Sequence, residues 1–247
     1  MKKRNIILSA AMICVSIPNM AQSMQISHNG DTTIIRVENS TKYLILPIEE
    51  EKKEAQVLLD NGKPTDTWMD IRLAQDNVDY YVPFELNKGK TSIVKILNLK
   101  KDALTLRDGQ MKLSNEWNVT NTDFYRPSYH HTPSYGWMND PNGMFYKDGV
   151  YHLCFQYNPY GSKWGNMHWG HAISKDLIHW QEVAPTIARD PMGHIFSGSA
   201  VIDKNGTAGY GKDAIVATYT SASDKNGQIQ CMAYSTDGGY TFKKYEG

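Results

Sequence analysis

The segment Trp137-Met138-Asn139-Asp140-Pro141-Asn142-Gly143 crowds a carboxylate, two amides and an indole into a few positions. Asp-Pro followed by Asn-Gly is turn chemistry. Such a turn places Asp140 at a fixed bend, where its carboxylate projects into a cavity with the Asn139 amide beside it. On these residues alone two readings stand: a well-made turn with a solvated aspartate, and a carboxylate acting as nucleophile or base. The surrounding aromatics and amides favour the second, because sugar sites combine flat stacking surfaces with fixed polar groups. His168 and His171 are three apart on an expected strand and point to opposite faces, which argues against a shared metal ion. No Ser-His-Asp arrangement and no phosphate-binding glycine loop stands out.

The elements that must carry these residues read as strands. From Tyr125 onward Trp, Tyr, His, Gly and Asn become dense, and strands are expected over 150–157, 168–173, 198–202, 214–219 and 229–234. Glu182 follows Trp180-Gln181 on an expected outer strand and is read as facing solvent. A repeat runs through this part. His171-Ala172-Ile173-Ser174-Lys175-Asp176 leads to Trp180, and Ala233-Tyr234-Ser235-Thr236-Asp237 leads to Phe242. Both read as strand, Ser-x-Asp turn, then an aromatic on a new strand. Their spacing of about 60 residues is close to one four-stranded propeller blade. Residues 24 to 120 also read as β, with strands over 32–37, 43–48, 55–59, 67–73, 78–86 and 91–97. Asn29-Gly30, Asn61-Gly62-Lys63-Pro64 and Asn87-Lys88-Gly89 separate them. Short strands at this spacing predict a small β-sandwich. It is either a structural accessory domain or a module that contacts carbohydrate.

Composition narrows the partners. The 247 residues carry 26 basic and 26 acidic side chains. That balance argues against a nucleic-acid partner, which calls for a basic excess. Charged residues at 21% and hydrophobic ones at 40% fit a globular fold. Lys2, Lys3 and Arg4 precede an apolar run over 6–17, and Ala21-Gln22-Ser23 fits a small-x-small cleavage pattern. Residues 1–23 therefore read as a signal peptide directing export to the periplasm, the cell surface or the medium. The run is too short for a membrane span, and no other segment is long and apolar enough. Two of three cysteines, Cys154 and Cys231, remain after its removal, in apolar strand-like runs that suit buried thiols as well as a disulfide.

His130-x-x-Pro133 followed by Trp137 to Gly143 resembles the signature of glycoside hydrolase family 32, the invertases, inulinases and levanases. Gln156-Tyr157-Asn158-Pro159, Trp164-Gly165-Asn166-Met167-His168-Trp169-Gly170-His171 and Phe196-Ser197-Gly198-Ser199-Ala200 resemble its next motifs, in order. The resemblance covers about residues 125–247. It implies an all-β chain: an N-terminal β-sandwich over 24–120, then over 121–247 the first roughly two blades of a five-bladed β-propeller, incomplete in this chain. It also implies Asp140 as a nucleophile that attacks a fructosyl anomeric carbon, and Asn139, Gln156, Trp164, Phe196 and Ser197 as the lining of a fructose pocket. The substrate would be a fructan (levan or inulin) or sucrose, cleaved with retention and without a cofactor.

Two family carboxylates have no counterpart in place. Arg189-Asp190-Pro191 spells the family's Arg-Asp-Pro motif but precedes Phe196 instead of following it, so it reads as a look-alike. No glutamate in a Glu-Cys context follows. Both carboxylates are expected beyond Gly247, and the chain is expected to be the inactive front part of a longer enzyme. The alternatives are a non-catalytic carbohydrate-binding protein and a related five-bladed glycosidase acting on arabinose polymers.

Overall fold

The computed structural model describes residues 23–119 and 124–246. The expected signal peptide, apart from Ser23, and the division expected at 120/121 lie outside the described residues. Ser23 itself opens the first strand, β1 (Ser23–Asn29).

The N-terminal part is a two-sheet sandwich. One sheet has the order β1-β2-β7-β4-β5, with β2 at Thr32–Glu38, β4 at Ala55–Leu59, β5 at Met69–Ile71 and β7 at Ser92–Leu97. The other has the order β6-β3-β8, with β3 at Tyr43–Ile48, β6 at Tyr80–Glu85 and β8 at Lys112–Ser114. Period-two patterning builds the interior. On β2 Ile35 and Val37, and on β7 Val94 and Ile96, point inward against Leu44, Leu46 and Ile48 of β3. The run expected over 67–73 is strand only at its centre, and β1 was not foreseen from its polar sequence.

Two four-stranded antiparallel sheets follow. The first has the order β12-β11-β10-β9, with β9 at Trp137–Lys147, β10 at Val150–Asn158, β11 at His168–Ser174 and β12 at Trp180–Ile187. The second has the order β13-β14-β15-β16, with β13 at His194–Asp203, β14 at Ala214–Ser223, β15 at Gly227–Ser235 and β16 at Lys243–Lys244. Each is an up-and-down meander, the build of a propeller blade. The first strands of the two sheets, β9 and β13, lie side by side. Trp169, Cys154, Ile187, Ile195, Ala217 and Tyr219 fill the space between the sheets.

The repeat seen in the sequence occupies equivalent corners. Ser174 donates to Asp176 at 3.1 Å, and the Asp176 carboxylate accepts the amides of Ile178 and His179 in the β11–β12 connection. Ser235 donates to Asp237 at 2.7 Å, and that carboxylate accepts the amides of Tyr240 and Thr241 in the β15–β16 connection. Cys154 and Cys231 are free thiols, and burial pushes the Cys154 thiol up to about 12.

Candidate active site

Asp140 does not sit in a turn. It lies within β9, and the feature that aims it is a β-bulge. On β10 Phe155 pairs with Pro141 and Tyr157 with Met138, so Asn139 and Asp140 together oppose the single residue Gln156. A bulge bends the strand locally and re-aims side chains. The Asp-Pro and Asn-Gly pairs, read as turn signals, serve this irregular strand instead. Gly143 is needed there for a specific reason: its φ is +55°, and an added Cβ would lie 2.6 Å from the buried Trp169 ring.

The second sheet repeats the device. Ile195 pairs with Ser221 and Gly198 with Tyr219, so Phe196 and Ser197 together oppose the single residue Thr220. Gly198 allows the strands to close up, since a Cβ there would meet the Thr218 carbonyl oxygen at 1.9 Å. The two bulges face one another on the neighbouring first strands. Across the gap Ser197 Oγ donates to Asp140 Oδ2 at 2.9 Å.

A cavity of 440 Å³ opens between them, lined by all six residues singled out from the sequence and by Thr220. Asp140 is exposed to it, whereas Gln156 is buried. Gln156 donates its amide to the Ile195 carbonyl at 2.9 Å and so ties the two sheets together under the cavity. Trp169 makes a parallel tie, its indole donating to the Phe196 carbonyl at 3.0 Å. Asn139 Oδ1 accepts the Trp137 indole at 2.8 Å, which leaves its amide NH₂ for a ligand. Thr220 carried no signal of its own. Only the register shows that it stands opposite its bulge as Gln156 does opposite the other.

Trp164, half exposed, walls the cavity together with Phe196; the rings are 6.1 Å apart. Its loop is fixed by the N-terminal sandwich. Glu50 accepts the Ser162 amide and hydroxyl, both at 2.7 Å, and also the Tyr80 hydroxyl. Lys163 donates to the Glu50 carbonyl at 2.9 Å and pairs with Glu51 at 3.0 Å. Asn166, buried, accepts the Asp70 amide at 2.9 Å and donates to the Asp70 carbonyl at 2.7 Å.

Arg189 takes part in the same clamp, and Asp190 does not. Arg189 pairs with Asp70 at 2.9 Å and donates to Asn166 at 2.6 Å, while Asp190 pairs with Lys244 of β16 at 2.6 Å. Glu182 lies on the outer strand β12, as read, but does not simply face solvent: it accepts the Ser134 amide and hydroxyl at 2.8 and 2.7 Å. His168 donates through Nδ1 to the Asn166 carbonyl, whereas His171 contacts His152 at 3.0 Å. His194, beside Trp164, accepts the Met167 amide at Nδ1. Burial, then the Arg189 charge, lowers His194 to about 4. It is therefore neutral near pH 7, as that acceptor role requires.

Among the described residues the 440 Å³ cavity holds one carboxylate, that of Asp140. One carboxylate, amides and an aromatic wall are the kinds of group that sugar-binding sites combine.

Residues 130–247 match the glycosyl hydrolases family 32 N-terminal domain. This part of the chain belongs to glycoside hydrolase family 32. Residues 29–129, which include the sandwich from β2 onward, match a domain of unknown function (DUF4980). A levanase of Bacillus subtilis (strain 168) is 56% identical over 127 residues, which cover 50% of this chain and 18% of that protein. An extracellular exo-inulinase of Aspergillus awamori is 46% identical over 142 residues, covering 49% of this chain and 26% of that protein. A β-fructofuranosidase structure from Schwanniomyces occidentalis, complexed with fructosyl-erythritol, is 47% identical over 49% of this chain and 25% of its own, with a TM-score of 0.47. The family 32 portion thus spans about a quarter or less of these relatives.

Proposed function

We propose that this chain is the front part of an exported glycoside hydrolase that cleaves fructosyl linkages in fructans or sucrose with retention. The observation that carries the reading is the Ser197–Asp140 hydrogen bond across the two facing bulges. It holds one carboxylate oxygen and leaves the other for attack on the anomeric carbon of a fructosyl unit seated against Trp164. Ser197 would also lower the energy of the carboxylate as it leaves in the second step. The named activities of the relatives, levanase and exo-inulinase, support fructose over arabinose as the reacting sugar.

A retaining glycosidase needs a second carboxyl group about 5–5.5 Å from the first, to protonate the leaving oxygen and then deprotonate water. The described cavity supplies none. That group and further blades would come from chain following residue 247, and these 247 residues alone would bind sugar without turning it over. The domain limits 24–120 and 121–247, and export through residues 1–23, belong to the same proposal. The extracellular relatives support export, and among the described residues no helix is long and apolar enough to cross a membrane.

The test is an NMR titration of the 247-residue chain with fructose. Saturable binding that weakens about tenfold in Trp164→Ala, with no fructose released from sucrose, inulin or levan, is expected. Absence of fructose binding, or robust release by this chain alone, overturns the reading.

A further inference from the structure

Trp164 walls the 440 Å³ cavity, yet it stands on the connection between β10 and β11, residues 159–167, which is neither strand nor helix. Asn158, the last residue of β10, ties part of it down: it donates to the Lys163 carbonyl at 2.8 Å and accepts the Tyr160 amide at 3.0 Å. Gly161 and Gly165 bring no side chain to pack. The N-terminal sandwich grips the connection on both sides of Trp164, at Ser162 and Lys163 before it and at Asn166 after it. No sandwich residue lines the cavity itself.

We propose that Glu50 is a positioning residue for sugar binding. It holds the Trp164 wall in place before the sugar arrives, so the sandwich raises affinity without touching the sugar. The proposal rests on the fructosyl reading of the cavity and gives the sandwich a part in it. Where the wall is already ordered, binding need not order that side chain and its loop.

Glu50 suits the role because its own place is rigid. Its backbone amide donates to the Asp79 carboxylate at 2.8 Å, and the neighbouring Glu49 carboxylate accepts the amides of Gln75, Asp76 and Asn77. Its side chain is also shielded, 13% exposed against 88% for Glu51, so the Lys163–Glu51 pair is a solvated contact that contributes little beside it. A single atom carries the grip. Glu50 Oε1 accepts the Ser162 amide, the Ser162 hydroxyl and the Tyr80 hydroxyl. Tyr80 packs against the sandwich core, and its oxygen accepts the Ser162 amide as well, at 2.9 Å. The other carboxylate oxygen, Oε2, has no hydrogen-bond partner among the described residues, with Lys163 Nζ 4.0 Å away. The grip therefore needs an acceptor at Oε1 more than a charge. Glu50→Gln keeps that acceptor, and Glu50→Ala removes it.

The test is a double-mutant cycle on the 247-residue chain, read as fructose affinity by NMR titration. Glu50→Ala is expected to weaken binding about threefold to tenfold when Trp164 is present, and not at all in a Trp164→Ala background. Glu50→Gln should bind within about twofold of the unsubstituted chain. Ser162 is exposed, so Ser162→Ala leaves the sandwich untouched and decides the matter if Glu50→Ala fails to fold. It should lose about twofold to threefold, again only with Trp164 present. Three results overturn the positioning role and leave the fructosyl reading intact: unchanged affinity in the alanine variants, an equal loss with and without Trp164, or a Glu50→Gln variant as weak as Glu50→Ala. Absence of fructose binding by the unsubstituted chain overturns the fructosyl reading and the positioning role with it.

Discussion

At the residue scale, chemistry and stability separate cleanly. Ser197 is half exposed and its bond to Asp140 is charge-assisted. In a chain that carries the remaining blades, Ser197→Ala is expected to lower kcat/KM about tenfold to a hundredfold, the worth of a hydrogen bond to a charged group. Its unfolding free energy should move by no more than about 0.5 kcal/mol. Steady-state kinetics and urea denaturation on the same variant check the two halves. Gly143→Ala should do the reverse. Its φ of +55° and the 2.6 Å approach to Trp169 leave no room for a Cβ, and Trp169 is wedged between the sheets. A loss of about 1–3 kcal/mol is expected from strain and overpacking. Thermal unfolding of the variant, with a native-like midpoint as the contrary result, decides it.

At the element scale, the bulges and the clamp do the positioning. Asn166 spends its amide on the Asp70 backbone and its carbonyl oxygen on Arg189 as well. Asn166→Ala should cost about 2–3 kcal/mol, because it strands buried polar groups. The Asp70 amide should then exchange with solvent far faster, which hydrogen exchange reads directly. Unaltered Asp70 protection would show that the sandwich docks by other means. Most strands were legible in the sequence because one face of each is buried: alternating runs such as Thr32–Glu38 and Ser92–Leu97 carry that pattern plainly. β9 was not, because Asp-Pro and Asn-Gly spell a turn, and only pairing with β10 turns them into a bulged strand. Asp140 and Asn139 stood out on local chemistry, and the other four pocket residues were legible only through the ordered motifs. Their convergence depends on β9 lying beside β13, a long-range fact that no local pattern encodes. Thr220 and Asp70 were missed for the same reason.

At the scale of the whole molecule, the histidines set an acid limit. Burial lowers His168 and His194 to about 4 and His171 to about 3, against an ordinary value of 6.5. The unfolded chain therefore takes up protons below pH 6.5 that the folded chain refuses until near pH 4. Stability is full above pH 6.5 and falls as pH drops from 6.5 towards 4, by an amount on the order of a few kcal/mol. Thermal midpoints across that window should decline steadily; a flat profile would mean that these rings protonate without unfolding. The proposed function makes Asp140 the nucleophile, and the most direct measurement is fructose release from levan, inulin and sucrose. It should be made on a chain carrying the remaining blades, with and without Asp140→Ala. Release from at least one substrate, reduced about a thousandfold or more by the substitution, is the expected result. Release that survives Asp140→Ala at a comparable rate would contradict the account.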